Sequence, residues 1–128
     1  MIDHLGFSVS DLAKSKSFYV KALEPVGVTV LMEFTDEQTG HGAHVGLGRD
    51  DKPYFWIGDG SPAASGLHVA FPTQTRAEVD AFYAAALAAG GRDNGPPGPR
   101  PEYHDNYYAA FVLDPDGNNI EAVCHLPQ

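Results

Sequence analysis

Hydrophobic and polar residues alternate over residues 2–9, which is the pattern of a β-strand with one face in a protein core. The apolar face carries Leu5, Phe7 and Val9, and the opposite face carries His4, Gly6 and Ser8. A helical pattern follows, capped by Ser10 or Asp11 and running to about Leu23. Three further strands are predicted at 28–34, 43–48 and 54–58, so the first half has the order βαβββ.

The same order of elements is predicted again from Gly66 onwards. A strand at 67–71 precedes a helix that begins at a capping box, Thr75 with Glu78, and stops at a pair of glycines. The segment 94–101 is rich in proline and glycine and is predicted to be a loop, with a short strand at 91–93 before it. Two strands follow, at 107–113 and 118–124, and the turn Asp-Pro-Asp-Gly at 114–117 closes them into a hairpin.

The two halves resemble each other residue by residue. An offset of 64 residues, from His4 to His68, also superposes Phe7 on Phe71, Phe18-Tyr19 on Phe82-Tyr83 and Ala22-Leu23 on Ala86-Leu87. Identical pairs on matching elements indicate an internal duplication. We therefore predict an α+β fold of one domain over 1–128, with one βαβββ module at about 1–63 and a second at about 64–128.

Three residues stand out chemically within this repeat. His4 and His68 occupy equivalent strand positions, opposite the core-facing side chains, and Glu121 is a carboxylate in an otherwise apolar strand. Two imidazoles and one carboxylate that converge would suit Fe, Mn, Ni, Co or Zn. The alternatives are a core or surface role for each histidine and an arginine partner for Glu121.

The charge and composition of the chain limit which partners and cellular locations are expected. Seventeen acidic against eight basic residues give a formal charge of −9, which repels nucleic acid and anionic membrane surfaces. No run approaches the ~20 apolar residues that cross a bilayer. A lone cysteine, Cys124, forms no internal disulfide, so a cytoplasmic location is expected.

The motifs around these residues resemble those of the vicinal oxygen chelate superfamily. This superfamily includes glyoxalase I, extradiol dioxygenases, fosfomycin-resistance enzymes and bleomycin-resistance proteins. The resemblance lies in the segments 4–12 with Phe18-Tyr19, 67–71, and 114–118 followed by Ile120-Glu121. It implies two βαβββ modules that form a curled mixed sheet around a concave metal-binding cleft, and a homodimer. It places metal ligands at His4, His68 and Glu121.

The chain departs from glyoxalase I at one position. That enzyme takes a fourth ligand from the last strand of its first module, and the 64-residue offset pairs Glu121 with Ile57, which cannot bind metal. The ligand set of two histidines and one glutamate is closer to that of the dioxygenases and fosfomycin enzymes.

Other side chains are candidates for contact with a small-molecule substrate. We expect Glu121 and His104 to be catalytic residues, with a loop histidine that is merely solvated as the alternative for His104. Tyr107 and Tyr108 are adjacent at the start of a strand, so one should face the cleft and the other the helices. The substrate-binding candidates are His44, Trp56, Arg100, Tyr103, Tyr107 and Tyr108.

These expectations lead to a divalent-metal enzyme that acts on a substrate chelating through adjacent oxygens, with glyoxalase-like lyase or isomerase chemistry first. An extradiol-type dioxygenase or an epoxide-opening transferase is the alternative on the same ligands. A metal-free binding protein for a hydrophobic or cationic ligand is the alternative from a different class.

Overall fold

The computed structural model describes residues 2–62 and 66–128 and contains two four-stranded sheets with helices packed against them. The first half contains β1 Leu5–Val9, α1 Leu12–Leu23, β2 Thr29–Phe34, α2 Asp36–Thr39, β3 His44–Arg49 and β4 Lys52–Asp59. The second half contains β5 His68–Thr73, α3 Arg76–Ala88, β6 Arg92–Pro99, β7 Tyr108–Leu113 and β8 Asn119–Cys124. The predicted α+β class and repeated order are confirmed, while the expected boundary at 63/64 lies outside the described residues.

The two sheets have the same topology. Their strand orders are β1-β4-β3-β2 and β5-β8-β7-β6, and in each the first strand of the module runs parallel to the last. The remaining neighbours are antiparallel. This correspondence supports the internal duplication, because two unrelated halves would seldom share one strand order and one pattern of directions.

The helices begin where the capping residues predict. The Asp11 side chain accepts a hydrogen bond from the backbone N–H of Lys14 at 3.1 Å. Thr75 and Glu78 form the predicted capping box at the start of α3. A second capping box, Thr35 with Gln38, starts the short helix α2, which the hydrophobic pattern does not predict because none of its residues is buried.

The proline-rich segment differs from the prediction. Residues 92–99 form β6, one of the two outer strands of the second sheet, whereas a loop is expected over 94–101. Register shifts interrupt its pairing with β7 on both sides of Gly95. Proline has no N–H to donate to a neighbouring strand. A central strand has a neighbour on each side and so loses a hydrogen bond at every proline, but an edge strand can place its prolines where there is no neighbour.

The core is shared by both halves. The aromatic rings of Phe55 and Phe71 meet edge-on, with centroids 5.3 Å apart, and α1 packs against α3. The buried hydroxyl of Tyr19 donates to the Asp114 carboxylate in the β7–β8 turn. Consequently each sheet presents one face to this core and leaves the opposite face for other contacts. No helix within 2–62 or 66–128 is both long and apolar enough to span a bilayer.

Candidate metal site on the second sheet

The second sheet brings together two of the three predicted ligands. Glu121 pairs in register with Ala70 of β5, and its side chain lies opposite those of Ile120 and Ala122, which are buried in the core. Its carboxylate Oε1 lies 2.8 Å from Nε2 of His68. Glu121 is 1% exposed whereas His68 is 51% exposed, so the carboxylate forms the floor of the site and the imidazole its open side.

Tyr107 holds the other carboxylate oxygen. Its hydroxyl donates a hydrogen bond to Oε2 of Glu121. Burial, together with this hydrogen bond and the charge of Glu121, raises the pKa of Tyr107 well above its usual value of 10.0. The phenol therefore remains a donor at neutral pH, and it orients the Glu121 carboxylate towards His68.

A pocket of about 380 Å³ opens over this pair. It is lined by His68, Tyr103, Tyr107, Phe111 and Glu121. The guanidinium carbon of Arg100 lies 5.5 Å from the centre of the Phe111 ring. Carbonyl oxygens of Gly98 and Pro96 accept bonds from Arg100 at 2.9 and 2.7 Å, which fixes its position beside the pocket.

Two other predicted residues lie outside this pocket. His104 stands behind Tyr107, with ring centroids 5.1 Å apart, and its Nε2 lies 2.9 Å from Nδ1 of His125. Tyr108 lies on the helix side, where its hydroxyl donates to Asp80 at 2.7 Å. Of the adjacent tyrosines, Tyr107 thus faces the site and Tyr108 does not, since neighbouring strand residues point to opposite faces.

His4 does not join His68 and Glu121 within one chain. It precedes β1 on the first sheet, is exposed, and its Nδ1 lies 2.7 Å from the Asp3 carboxylate. Lys52 also contacts that carboxylate, and hydrogen bonds from Lys52, the larger cause, and from His4 lower the pKa of Asp3. Within the described parts of the chain, no group of three or more His, Cys, Asp or Glu side chains could hold a metal ion.

The first sheet carries an indole where the second carries its carboxylate. Gly6, the repeat partner of Ala70, pairs with Trp56 rather than with Ile57. Ile57 is fully buried in the core, so the counterpart of Glu121 inferred from the sequence offset is wrong by one residue. Gly46 pairs with Trp56 and Phe111 pairs with Glu121, ten residues apart in both hairpins, so the extra residue of the second half lies earlier, between β5 and β7.

His44 lies on the same face of the first sheet. A pocket of about 230 Å³ there is lined by Gly6, Phe7, Ser8, His44, Trp56, Ile57 and Gly58. A larger cavity, of about 700 Å³, lies between the start of α1 and the ends of β2 and β3. That cavity also touches His44 but includes neither His68 nor Glu121. It is therefore separate from the candidate metal site on the second sheet.

The donor set fits a divalent transition metal. Imidazole nitrogen and carboxylate oxygen are the ligands that Fe, Mn, Ni, Co and Zn share. The buried carboxylate of Glu121 has one imidazole and one hydroxyl as its partners among the described residues, and both reach it from the pocket side. Two candidate ligands are therefore oriented in each chain, and the exposed side of His68 leaves room for further ligands.

Comparison with known proteins identifies the family. The model of the Glyoxalase/Bleomycin resistance protein/Dioxygenase superfamily matches residues 1–122. The chain belongs to this superfamily. A glyoxalase/bleomycin resistance protein from Albidiferax ferrireducens superposes with a TM-score of 0.77 at 30% identity, over 98% of both chains. No curated protein matches.

Two more distant superfamily structures show the same fold. A glyoxalase I mutant from Zea mays has a TM-score of 0.71 and 24% identity, over 95% of this chain and 46% of that one. The fosfomycin resistance protein FosX from Listeria monocytogenes, complexed with Mn(II) and sulfate, has a TM-score of 0.69 and 17% identity. It aligns over 97% of this chain and 91% of its own.

Some site residues of this superfamily member escape sequence reasoning. Phe111 lines the pocket because it pairs in register with Glu121, and the alternation of β7 could have placed it there. His125 follows the last strand, and no sequence pattern links it to His104. Phe34 contacts Trp56 only because β2 lies beside β3, which is a fact of topology rather than of local sequence.

Proposed function

We propose that this chain binds a divalent metal ion and catalyses a glyoxalase-like isomerase or lyase reaction on a small molecule that chelates through two adjacent oxygens. The supporting observation is the distance of 2.8 Å between His68 Nε2 and the buried Glu121 carboxylate. A carboxylate removed from water is costly unless a cation or several donors accompany it. A bound Fe, Mn, Ni, Co or Zn ion would supply that cation.

The third ligand in this proposal is His4 of a second copy. Metal-binding histidines usually donate their second ring nitrogen to a carboxylate, which orients the ring. His4 has this arrangement, since its Nδ1 contacts Asp3 and its Nε2 is left for a metal. A two-fold dimer that places the first sheet of one copy against the second sheet of the other would complete two equal sites.

Each pocket residue then has a role. The metal would act as a Lewis acid that polarises a substrate oxygen and stabilises negative charge on it. Glu121 is the carboxylate that lines the pocket. We assign it the role of general base: one of its oxygens accepts the proton from the substrate carbon that bears a chelating oxygen. Return of that proton to the neighbouring carbon, with transfer of the hydroxyl proton from one chelating oxygen to the other, completes an isomerisation. Tyr107 positions Glu121, and Arg100 lies where it could bind an anionic substrate group.

A metal titration tests the ligands. Metal-stripped protein is titrated calorimetrically with Mn, Fe, Co, Ni and Zn, and one ion per chain is expected for at least one of them. His68→Ala and Glu121→Gln should each abolish stoichiometric binding. The matched controls are His41→Ala and Glu37→Gln, which change exposed side chains of the same types. Loss of stoichiometric metal binding in the controls, or its persistence in the site variants, contradicts the proposed ligands.

Mixing two defective variants tests the shared site. His4→Ala and Glu121→Gln should each bind no metal alone, but a heterodimer of the two retains one site with all its ligands. After random exchange of subunits in equal amounts, about a quarter of the sites should bind metal. A protein that stays monomeric while binding metal, or a mixture that recovers no binding, contradicts the contribution of His4 from a second copy.

One observation favours a metal-free binding protein instead. Within a single copy, the described residues bring together only two of the three predicted ligands. If none of the five metals binds stoichiometrically, this alternative replaces the enzyme. If metal does bind, turnover of a hemithioacetal, a catechol or an epoxide separates the isomerase from the dioxygenase and the transferase.

A further inference from the structure

His104 and His125 form a pair of imidazoles that the proposed reaction does not use. The Nε2 atom of His104 lies 2.9 Å from Nδ1 of His125, the residue that follows the last strand. The ring planes differ by 24° and the ring centroids are 5.0 Å apart. Rings stacked face to face cannot bring two nitrogens this close, because their atoms stay about 3.5 Å apart. The two rings therefore lie end to end, with one nitrogen of each facing the other.

Tyr107 and the backbone around it hold both imidazoles in place. The Tyr107 N–H donates a hydrogen bond of 3.2 Å to the carbonyl of His104, which closes a turn in the loop 100–107. The Tyr107 ring meets both imidazoles edge-on, with its centroid 5.1 Å from that of His104 and 5.2 Å from that of His125. Tyr107 is itself held by its hydrogen bond to Glu121. These contacts exist without a ligand, so less entropy is lost when the two nitrogens bind one.

The spacing of the two nitrogens favours one coordination geometry. Metal–nitrogen bonds to imidazole are roughly 2.0–2.1 Å long, so two nitrogens at a right angle around one ion lie about 2.9 Å apart, and at the tetrahedral angle about 3.3 Å apart. The observed 2.9 Å matches the right angle of square-planar sites, which Cu(II) and Ni(II) adopt. An ion would replace the ring proton between the nitrogens, and rotation of both side chains would turn the two lone pairs towards it.

The surroundings of the pair narrow the choice of ion to copper. No third His, Cys, Asp or Glu within 2–62 or 66–128 joins the two imidazoles. Both side chains are exposed, so water fills the remaining positions around an ion. A site with only two protein ligands retains the ion that binds nitrogen most tightly, and among the first-row divalent metals that ion is Cu(II). The formal charge of −9 also raises the concentration of cations near the chain.

We propose that His104 and His125 form a copper(II) site that is separate from the candidate metal site on the second sheet. This inference does not rest on the proposed function, because neither His68 nor Glu121 supplies a ligand. An ion bound here ties the segment after β8 to the loop 100–107, which carries Tyr107. Copper therefore adds a cross-link directly behind the residue that orients Glu121.

A double variant isolates this pair from the other candidate ligands. The variant His4→Ala, His68→Ala lacks both histidines of the proposed shared site, and it is prepared without a histidine tag. Calorimetric titration with Cu(II) should show one ion per chain, and Ni(II) and Zn(II) should bind at least about 10-fold more weakly. Adding His104→Gln or His125→Gln should raise the Cu(II) Kd at least about 10-fold, because a single imidazole is left. The matched control His41→Gln, at another exposed histidine, should change that Kd less than about 2-fold.

Pulsed electron paramagnetic resonance identifies the ligands of the bound copper. Cu(II) in the double variant should couple to two imidazoles, and after His104→Gln or His125→Gln to one at most. Absence of Cu(II) binding, binding that survives both substitutions, coupling to fewer than two imidazoles in the double variant, or an equal loss in His41→Gln would overturn the proposal. Circular dichroism verifies the fold, and each of the two glutamine variants tests the site independently. Failure of the proposed function looks different: wild type then retains none of Mn, Fe, Co, Ni or Zn, while the Cu(II) results are unchanged.

Discussion

Tyr107→Phe removes one hydroxyl and nothing else from the floor of the site. That hydroxyl is the hydrogen-bond partner of Glu121 Oε2, and Glu121 is 1% exposed. Hydrogen bonds to charged groups contribute about 1.5–3 kcal/mol. Tyr107 is only half-buried, so water can replace part of the lost bond. We therefore expect the free energy of unfolding of the metal-free protein to fall by about 1.5 kcal/mol, near the lower limit of that range.

Urea unfolding at neutral pH measures this change. The matched control is Tyr103→Phe, which deletes the hydroxyl of a 60% exposed tyrosine in the same pocket and should cost less than about 0.5 kcal/mol. A double-mutant cycle with Glu121→Gln isolates the coupling between Tyr107 and the carboxylate. Coupling of about 1 kcal/mol or more is expected. Equal stability of wild type and Tyr107→Phe, or zero coupling, would refute the role assigned to this hydrogen bond.

The same variant connects to metal binding. Removal of a residue that orients a metal ligand typically lowers metal affinity about 10–100-fold. Calorimetric titration of Tyr107→Phe should therefore show weaker binding with unchanged stoichiometry, whereas Glu121→Gln should lose the stoichiometric site. Unchanged affinity in Tyr107→Phe would mean that Glu121 is held by its strand alone.

Two other substitutions test the packing and the buried charges. Gly46→Ala places a Cβ within 2.9 Å of the Trp56 ring and should destabilise the protein by about 1–3 kcal/mol in urea unfolding, most of which a Trp56→Ala background should remove. Burial, followed by the charge of Asp114, raises the pKa of the Tyr19 hydroxyl well above 10.0 in the folded protein. The unfolded chain therefore loses this proton at lower pH than the folded one does. As a result, the free energy of unfolding falls as the pH rises past 10. Urea midpoints at pH 9, 10 and 11 should decline less steeply in Tyr19→Phe, and parallel declines would contradict this assignment.

The site on the second sheet was predictable because it depends on local alternation. Period two places Glu121 opposite Ile120 and Ala122, and the same rule places His68 opposite Val69, so both side chains share a face whatever the exact register. The structure confirms this juxtaposition. Tyr107 was predictable only as one of two neighbours, since either parity was compatible with the start of β7.

The predictions that failed depend on the spacing between strands and on neighbouring strands or copies, which no local sequence pattern encodes. The match between Glu121 and Ile57 assumed equal spacing in both halves, but the second half has one more residue between its first and third strands, so Trp56 takes that position. The part of β6 after residue 93 was missed because proline and glycine disfavour strands in general, although an outer edge tolerates them. In the proposed dimer, the position of His4 relative to His68 depends on association between copies, which the order of residues in one chain does not specify.

The composition of β6 also affects how the protein behaves when it is concentrated. An outer strand with free N–H and C=O groups is a template on which strands of other molecules can add, and this leads to fibrous aggregates. Three of the eight residues of β6 are prolines, which have no N–H to offer such a strand. That edge of the second sheet is therefore a poor template for sheet extension. Contacts between copies along this edge are left to side chains, where recognition can be specific.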